Sequence, residues 1–136
     1  MTTIDIDPKY RLGVDAIDRE HAELIRIVND LRATLDKGDG RAAEITSIVA
    51  RLIDYTRTHF GHEEQLMLDS HYPGHQEHHT KHQELMVQVA KFASELAEHK
   101  DSVRLKVNLF MTIWLFEHII KDDAAFARYW LSLRQH

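Results

Sequence analysis

Residues 75–98 read HQEHHTKHQELMVQVAKFASELAE. Leu85, Val89, Phe92 and Leu96 recur at helical spacing, and the same stripe runs back through His82 and His78. Two imidazoles therefore sit on the face that an amphipathic helix turns to its core. A polar group buried without a partner costs on the order of several kcal/mol. These rings need partners on the helices that pack against this one, and such partners are present along the chain.

The surrounding sequence divides at its turn signals. A helix is expected from about Asp18 to Lys37, carrying Leu24, Val28, Leu31 and Leu35 and stopped by Gly38-Asp39-Gly40. A second runs from about Arg41 to Ser70, with Ile45, Val49, Leu52 and Thr56 leading to His59 and Glu63, and ends at Tyr72-Pro73-Gly74. The third is the segment quoted, His75 to Glu98. His99-Lys100-Asp101-Ser102 follows as a turn, with Ser102 as its N-cap. The fourth runs from about Val103 past Ile120, with Val107, Phe110, Met111 and Trp114 inward. Phe126, Tyr129, Trp130 and Leu133 mark a short fifth helix, and the segment around Pro8 and Gly13 forms an ordered N-terminal arm. No strand pattern competes. Long amphipathic helices joined by short turns specify an all-α fold, an antiparallel up-down-up-down four-helix bundle, as one domain over residues 1–136.

The bundle predicts where the polar residues meet. His21 lies about 17 residues before the first turn and His59 about 19 after it, which puts them at similar heights. His82 and His118 are each about 18 residues from the third turn, and Glu63 and His78 flank the second. One layer thus collects His21, His59, Glu63, His78, His82, His118 and an aspartate after His118. On an ideal helix Asp122, at i+4, stacks on His118, whereas Asp123, at i+5, lies about 140° around the axis.

Nitrogen-rich sites with carboxylates suit iron, zinc, copper or manganese. Two six-coordinate ions joined by two carboxylates and one solvent-derived oxygen use three positions each on the bridges. Five imidazoles fill all but one of the rest. That leaves a single open position, suited to a diatomic ligand. His62, His71, His75, His79, His99 and His136 read as solvent-facing; His75 and His79 also form an i, i+4 pair, on a weaker apolar stripe. Trp114 and Trp130 read as packing residues.

Composition narrows the remaining classes. Seventeen lysines and arginines against 22 acids give a net charge of −5 with no basic cluster, which argues against nucleic acid as a partner. The absence of cysteine excludes disulfides, thiolate zinc sites and iron–sulfur clusters. No signal pattern opens the chain, and the run Val107–Ile120 is too short for a span of about 20 residues. The chain is expected to be cytoplasmic, without membrane partners.

The chain resembles the hemerythrins, specifically the single-domain bacterial ones, in four stretches. These are Gly13-Val14-Asp15-Ala16-Ile17-Asp18-Arg19-Glu20-His21 with Asn29-Asp30-Leu31, and His59-Phe60-Gly61-His62-Glu63-Glu64-Gln65-Leu66-Met67. The others are Tyr72-Pro73 with His78 and His82, and Trp114-Leu115-Phe116-Glu117-His118-Ile119 with Asp123. The family pattern counts five from histidine to aspartate on the last helix, so the resemblance implies Asp123 rather than Asp122. It further implies two irons with an oxo or hydroxo bridge. His78, His82 and His118 would hold one iron, His21 and His59 the oxygen-binding one, and Glu63 and Asp123 both. The family's early tryptophan is missing from the arm, where Ile4, Ile6 and Tyr10 stand.

The implied function is reversible binding of dioxygen for storage, delivery or sensing, without enzymatic turnover. Its output would be delivery to an oxygen-using enzyme or signalling through a separate partner. The alternative is a di-iron oxidase, peroxidase or nitric oxide scavenger. Against it, the Glu-x-x-His pairs of di-iron oxidases are absent. A zinc-binding structural bundle is disfavoured because seven ligands are too many for one tetrahedral ion. Leu24 and Ile25 near His21, Met67 near Glu63, and Trp114 and Leu115 near His118 are expected to line the site with apolar surface.

Overall fold

A computed structural model of the chain describes residues 11–37, 42–97 and 114–134. Its elements are α1 (Asp15–Asp36), α2 (Ala42–Asp69), α3 (His75–Ala97), α4 (Trp114–Asp123) and α5 (Ala124–Leu133). Among the described residues there is no strand, and the architecture is the antiparallel helical bundle expected from the sequence. Several sequence expectations lie outside the described residues. They are the arm up to Tyr10 with Pro8, the Gly38–Gly40 stop, the His99–Ser102 turn, and Val107, Phe110 and Met111. His99, His136 and the side chains of Phe92, Leu96, Trp114 and Leu115 lie outside them too.

α1 begins three residues earlier than its periodicity suggests. Asp18 turns its carboxylate back to accept the backbone N–H of Leu12 at 2.8 Å and of Gly13 at 3.1 Å, which fixes the entering chain. Gly13 sits at φ 87°, a conformation that favours glycine. α2 ends at Asp69, within a residue of the expected Ser70, and the chain turns at His71 rather than at the downstream Pro-Gly. His71 takes φ 56°, its N–H donates to Leu68 O, and the Tyr72 N–H donates to Met67 O. This is a Schellman ending with histidine where glycine is usual. Tyr129 of α5 donates its hydroxyl to the Ser70 carbonyl at 2.6 Å, which ties α5 to the end of α2.

α4 departs from the expected geometry. Over Trp114–Asp123 its backbone is π-helical, with i→i+5 bonding, and it runs directly into α5. Asp123 itself keeps right-handed helical angles, φ −71° and ψ −35°.

The core has two apolar clusters. One gathers Leu24, Ile25, Ile27, Val28, Leu31, Leu35, Val49, Leu52, Phe60 and Val89. The other gathers Val14, Ile17, Met67, Phe126 and Ala127, with Tyr129 and Trp130 packed against it. Leu133, expected to pack with the α5 core, is instead 46% exposed; it ends the helix beyond the reach of the cluster. On α1 the order Ile17, His21, Leu24 passes from one cluster to the other; on α2 the order is Met67, Glu63, Phe60. The polar layer thus lies between two apolar plugs.

Candidate metal centre

All seven residues singled out in the sequence are buried, none more than 8% exposed. Glu63, His78, His82, His118 and Asp123 each offer one ligand atom within 4.8 Å of the others, and His21, His59, Glu63 and Asp123 form a second such group. Glu63 and Asp123 belong to both.

The arrangement of oxygens is more telling than the proximity. Glu63 Oε1 faces His78 Nε2 at 2.9 Å and His82 Nε2 at 3.3 Å. Its other oxygen, Oε2, faces His59 Nε2 at 3.5 Å and His21 Nε2 at 4.0 Å. Asp123 Oδ1 faces His78 Nε2 at 2.9 Å and His118 Nε2 at 3.1 Å, while Oδ2 faces His21 Nε2 at 2.9 Å. Each carboxylate therefore gives one oxygen to a three-histidine group and the other to a two-histidine group.

Asp123 reaches this position because α4 is π-helical. Hydrogen bonding at i→i+5 brings residues five apart into register, so His118 and Asp123 share a face. The ideal-helix preference for Asp122 fails for that reason. Asp122 instead accepts the His118 Nδ1–H at 3.0 Å and a bond from Lys81 Nζ at 2.7 Å.

Two further carboxylates play the same part. Glu20 accepts the His59 Nδ1–H at 2.7 Å and the His62 Nδ1–H at 2.6 Å. Glu64 accepts the His82 Nδ1–H at 2.9 Å and also the His79 Nδ1–H. An ionised carboxylate only accepts, so these bonds put the proton on Nδ1 and leave Nε2 turned to the centre. Sequence reading missed Glu20, Glu64 and the role of Asp122. The available signal was their helical spacing from the candidate ligands of neighbouring helices, which needs the packing to interpret. His62, read as solvent-facing, is exposed yet paired; His79 is half-buried and paired. His71 is exposed, and His75 stacks on His79 with ring centroids 6.2 Å apart.

Electrostatics follow the geometry. Burial pushes His78 down, but the Asp123 and Glu63 carboxylates outweigh it and lift the imidazole to about 9. Burial likewise opposes His118, which Asp123 and Asp122 raise to about 10. The His118 hydrogen bond, with Lys81, holds Asp122 at about 2. Burial raises Glu20 and Glu64, and their paired histidines more than compensate, leaving both carboxyls below the usual range.

The donor set fits metal cations. His59 Nε2, His78 Nε2, both Glu63 oxygens and Asp123 Oδ1 are buried without a properly aligned hydrogen bond. His82 Nε2 and His118 Nε2 face each other at 3.2 Å, although their Nδ1 atoms are committed to carboxylates. Native proteins rarely leave so many buried polar atoms unmatched, and shared cations would satisfy them together. Phe60 lies parallel to His82, ring centroids 3.6 Å apart, and closes the centre toward the larger apolar cluster. Leu24, Ile25 and Met67 are buried as expected. A cavity of about 170 Å³ adjoins His78, lined also by Tyr72, Glu77, Lys81 and Asp122. Among the described residues no helix is long and apolar enough to cross a membrane.

Comparison with known proteins agrees with this geometry. Residues 12–130 match the hemerythrin HHE cation binding domain. A bacteriohemerythrin from Stenotrophomonas maltophilia is 29% identical over 116 residues, covering 85% of this chain and 74% of the relative. One from Pseudomonas aeruginosa is 30% identical, covering 84% and 72%, and one from Clostridium acetobutylicum is 29% identical, covering 85% and 92%. With a family match over nearly its whole length and a buried imidazole–carboxylate layer across its helices, the chain belongs to the hemerythrin family.

Proposed function

We propose that the protein binds dioxygen reversibly at a non-haem di-iron centre, for oxygen storage, delivery or sensing, and that it does so in the cytoplasm as a single domain. His78, His82 and His118 would hold one iron, His21 and His59 the other, and Glu63 and Asp123 would join them. The observation that carries this reading is the division of each carboxylate, one oxygen toward each histidine group. The two-histidine group supplies one donor fewer, which leaves room for an exogenous ligand on that side. Two irons bound there would supply the reversible exchange of electrons with dioxygen.

This chain's own residues would do the rest. Glu63 and Asp123 balance part of the positive charge, and Leu24, Ile25, Phe60 and Met67 exclude water from the layer. Five imidazoles against two carboxylates favour the ferrous state over a high-valent oxidant, which weighs against an oxidase or peroxidase. The partner is dioxygen, with nitric oxide as the competing ligand. Its release would serve an oxygen-using enzyme or a separate signalling protein.

The test is spectroscopic. Protein loaded with ferrous iron without oxygen should develop a visible charge-transfer band in air and lose it when oxygen is removed, over repeated cycles. Oxidation that does not reverse after one exposure would favour the enzyme reading. A colourless protein that takes up zinc but not iron would sink both.

A further inference from the structure

Three of the five buried histidines share one construction. His59 donates Nδ1–H to Glu20, which also accepts from His62. His82 donates to Glu64, which also accepts from His79. His118 donates to Asp122, which also accepts from Lys81. Each unit runs from a buried ring through a partly exposed carboxylate to a basic group nearer the surface. The carboxylates come from α1, α2 and α4, so no local sequence repeat generates the pattern. His21 lacks it, since its Nδ1 is buried with no partner.

An imidazole that coordinates through Nε2 must carry its proton on Nδ1, and an acceptor there fixes both the tautomer and the ring angle. A carboxylate acceptor also raises the basicity of the coordinating nitrogen. The outer basic group has a separate effect. It occupies the second oxygen, stops the carboxylate from rotating, and withdraws part of its charge.

From this construction we infer that Glu20, Glu64 and Asp122 are positioning residues, Glu20 for the two-histidine iron and Glu64 with Asp122 for the three-histidine iron. The inference rests on the di-iron reading above. It goes further in dividing the positioning residues between the two ions, with one brace on one side and two on the other. His62, His79 and Lys81 act at one remove, as clamps on the carboxylates.

The test separates the two sites. Full-length protein is titrated with Fe²⁺ without oxygen against a competing chelator, so that the two equivalents are resolved. Glu20→Ala is expected to weaken one equivalent by about 10–100-fold, and Glu64→Ala or Asp122→Ala the other, in line with the cost of removing an outer partner of a metal-bound histidine. Glu20→Gln, Glu64→Gln and Asp122→Asn should recover most of the loss, since an amide oxygen accepts the same N–H. In zinc-loaded protein carrying ¹⁵N-histidine, each alanine variant should lose the hydrogen-bonded Nδ1–H resonance of its own buried ring, together with that of His62 for Glu20 or His79 for Glu64, and leave the other two buried rings unchanged.

The inference is overturned by an alanine variant that leaves both equivalents within about twofold of the parent, the scatter to be expected against a 10–100-fold effect. It is overturned equally if both sites weaken alike while the helical circular dichroism of the metal-free form is intact. An alanine variant that fails to fold gives way to its amide counterpart; failure of the amide to hold its metal also overturns the inference. Wild-type protein that binds no iron would instead remove the di-iron reading beneath it, a result distinguishable because it needs no variant.

Discussion

Asp122 and Asp123 are adjacent, chemically identical and differently employed. Asp123 is 1% exposed and faces three imidazoles; Asp122 is 22% exposed and bridges His118 to Lys81. Residues one turn from the buried histidines have an equally separable role. Leu24 is buried on α1 three residues from His21, where a hydroxyl would admit water and a proton source. Leu24→Ser is expected to speed autoxidation of the oxygenated protein at least severalfold, with iron content unchanged. A stopped oxygenation cycle followed by absorbance checks this, and an unchanged rate would show that the apolar lining does not protect bound oxygen.

Among the elements, the end of α2 offers a stability test away from the candidate centre. His71 holds a left-handed conformation that costs a non-glycine residue about 1–2 kcal/mol. Its side chain is exposed, so His71→Gly should stabilise the fold by about 1 kcal/mol, visible as a rise of a few degrees in Tm. Much of this scale was legible in the sequence. The stripes Leu24–Leu35 and Val49–Thr56 lie inside as read, and His78 and His82 do extend the stripe of α3. The turns and helix starts were less legible, because Asp18 and His71 act through backbone hydrogen bonds that periodicity does not report. The π-helical path of α4 was not legible at all. Nothing in Trp114–Asp123 departs from ordinary helix composition, and only the family pattern pointed to Asp123.

For the whole molecule, the centre joins three long helices and α4 through imidazoles and carboxylates that without cations are held together by protons. In the metal-free protein His78 and His118 are held protonated, at about 9 and about 10, against an ordinary 6.5. The stability they contribute is fully present below 6.5 and is lost as pH rises through those values. Metal-free protein should therefore melt at progressively lower temperature from about pH 7 to about pH 10, whereas iron-loaded protein, whose imidazoles are already deprotonated, should not follow this trend. Loading at a thousandfold excess over Kd should add about 4 kcal/mol. Calorimetry of chelated and loaded samples across that range measures both effects; a metal-free protein whose Tm is flat would contradict the protonation scheme.

The π-helical segment has a further consequence, which is one of phase. Deleting a single residue between His118 and Asp123 would leave these two four apart, the spacing by which His59 and Glu63, or His78 and His82, stack on ordinary helices. Because a π-helical stretch holds one residue more than the α-helix it replaces, everything downstream would keep its rotation. Phe126 and Ala127 would still meet Val14, Ile17 and Met67, and Tyr129 the carbonyl of Ser70. An α-helical path through the unshortened chain would instead rotate Asp123 and everything after it by about 100°, away from the polar layer and the apolar plug alike. The wider turns absorb the surplus residue, so the layer and the core share one phase of the last helix and would lose it together.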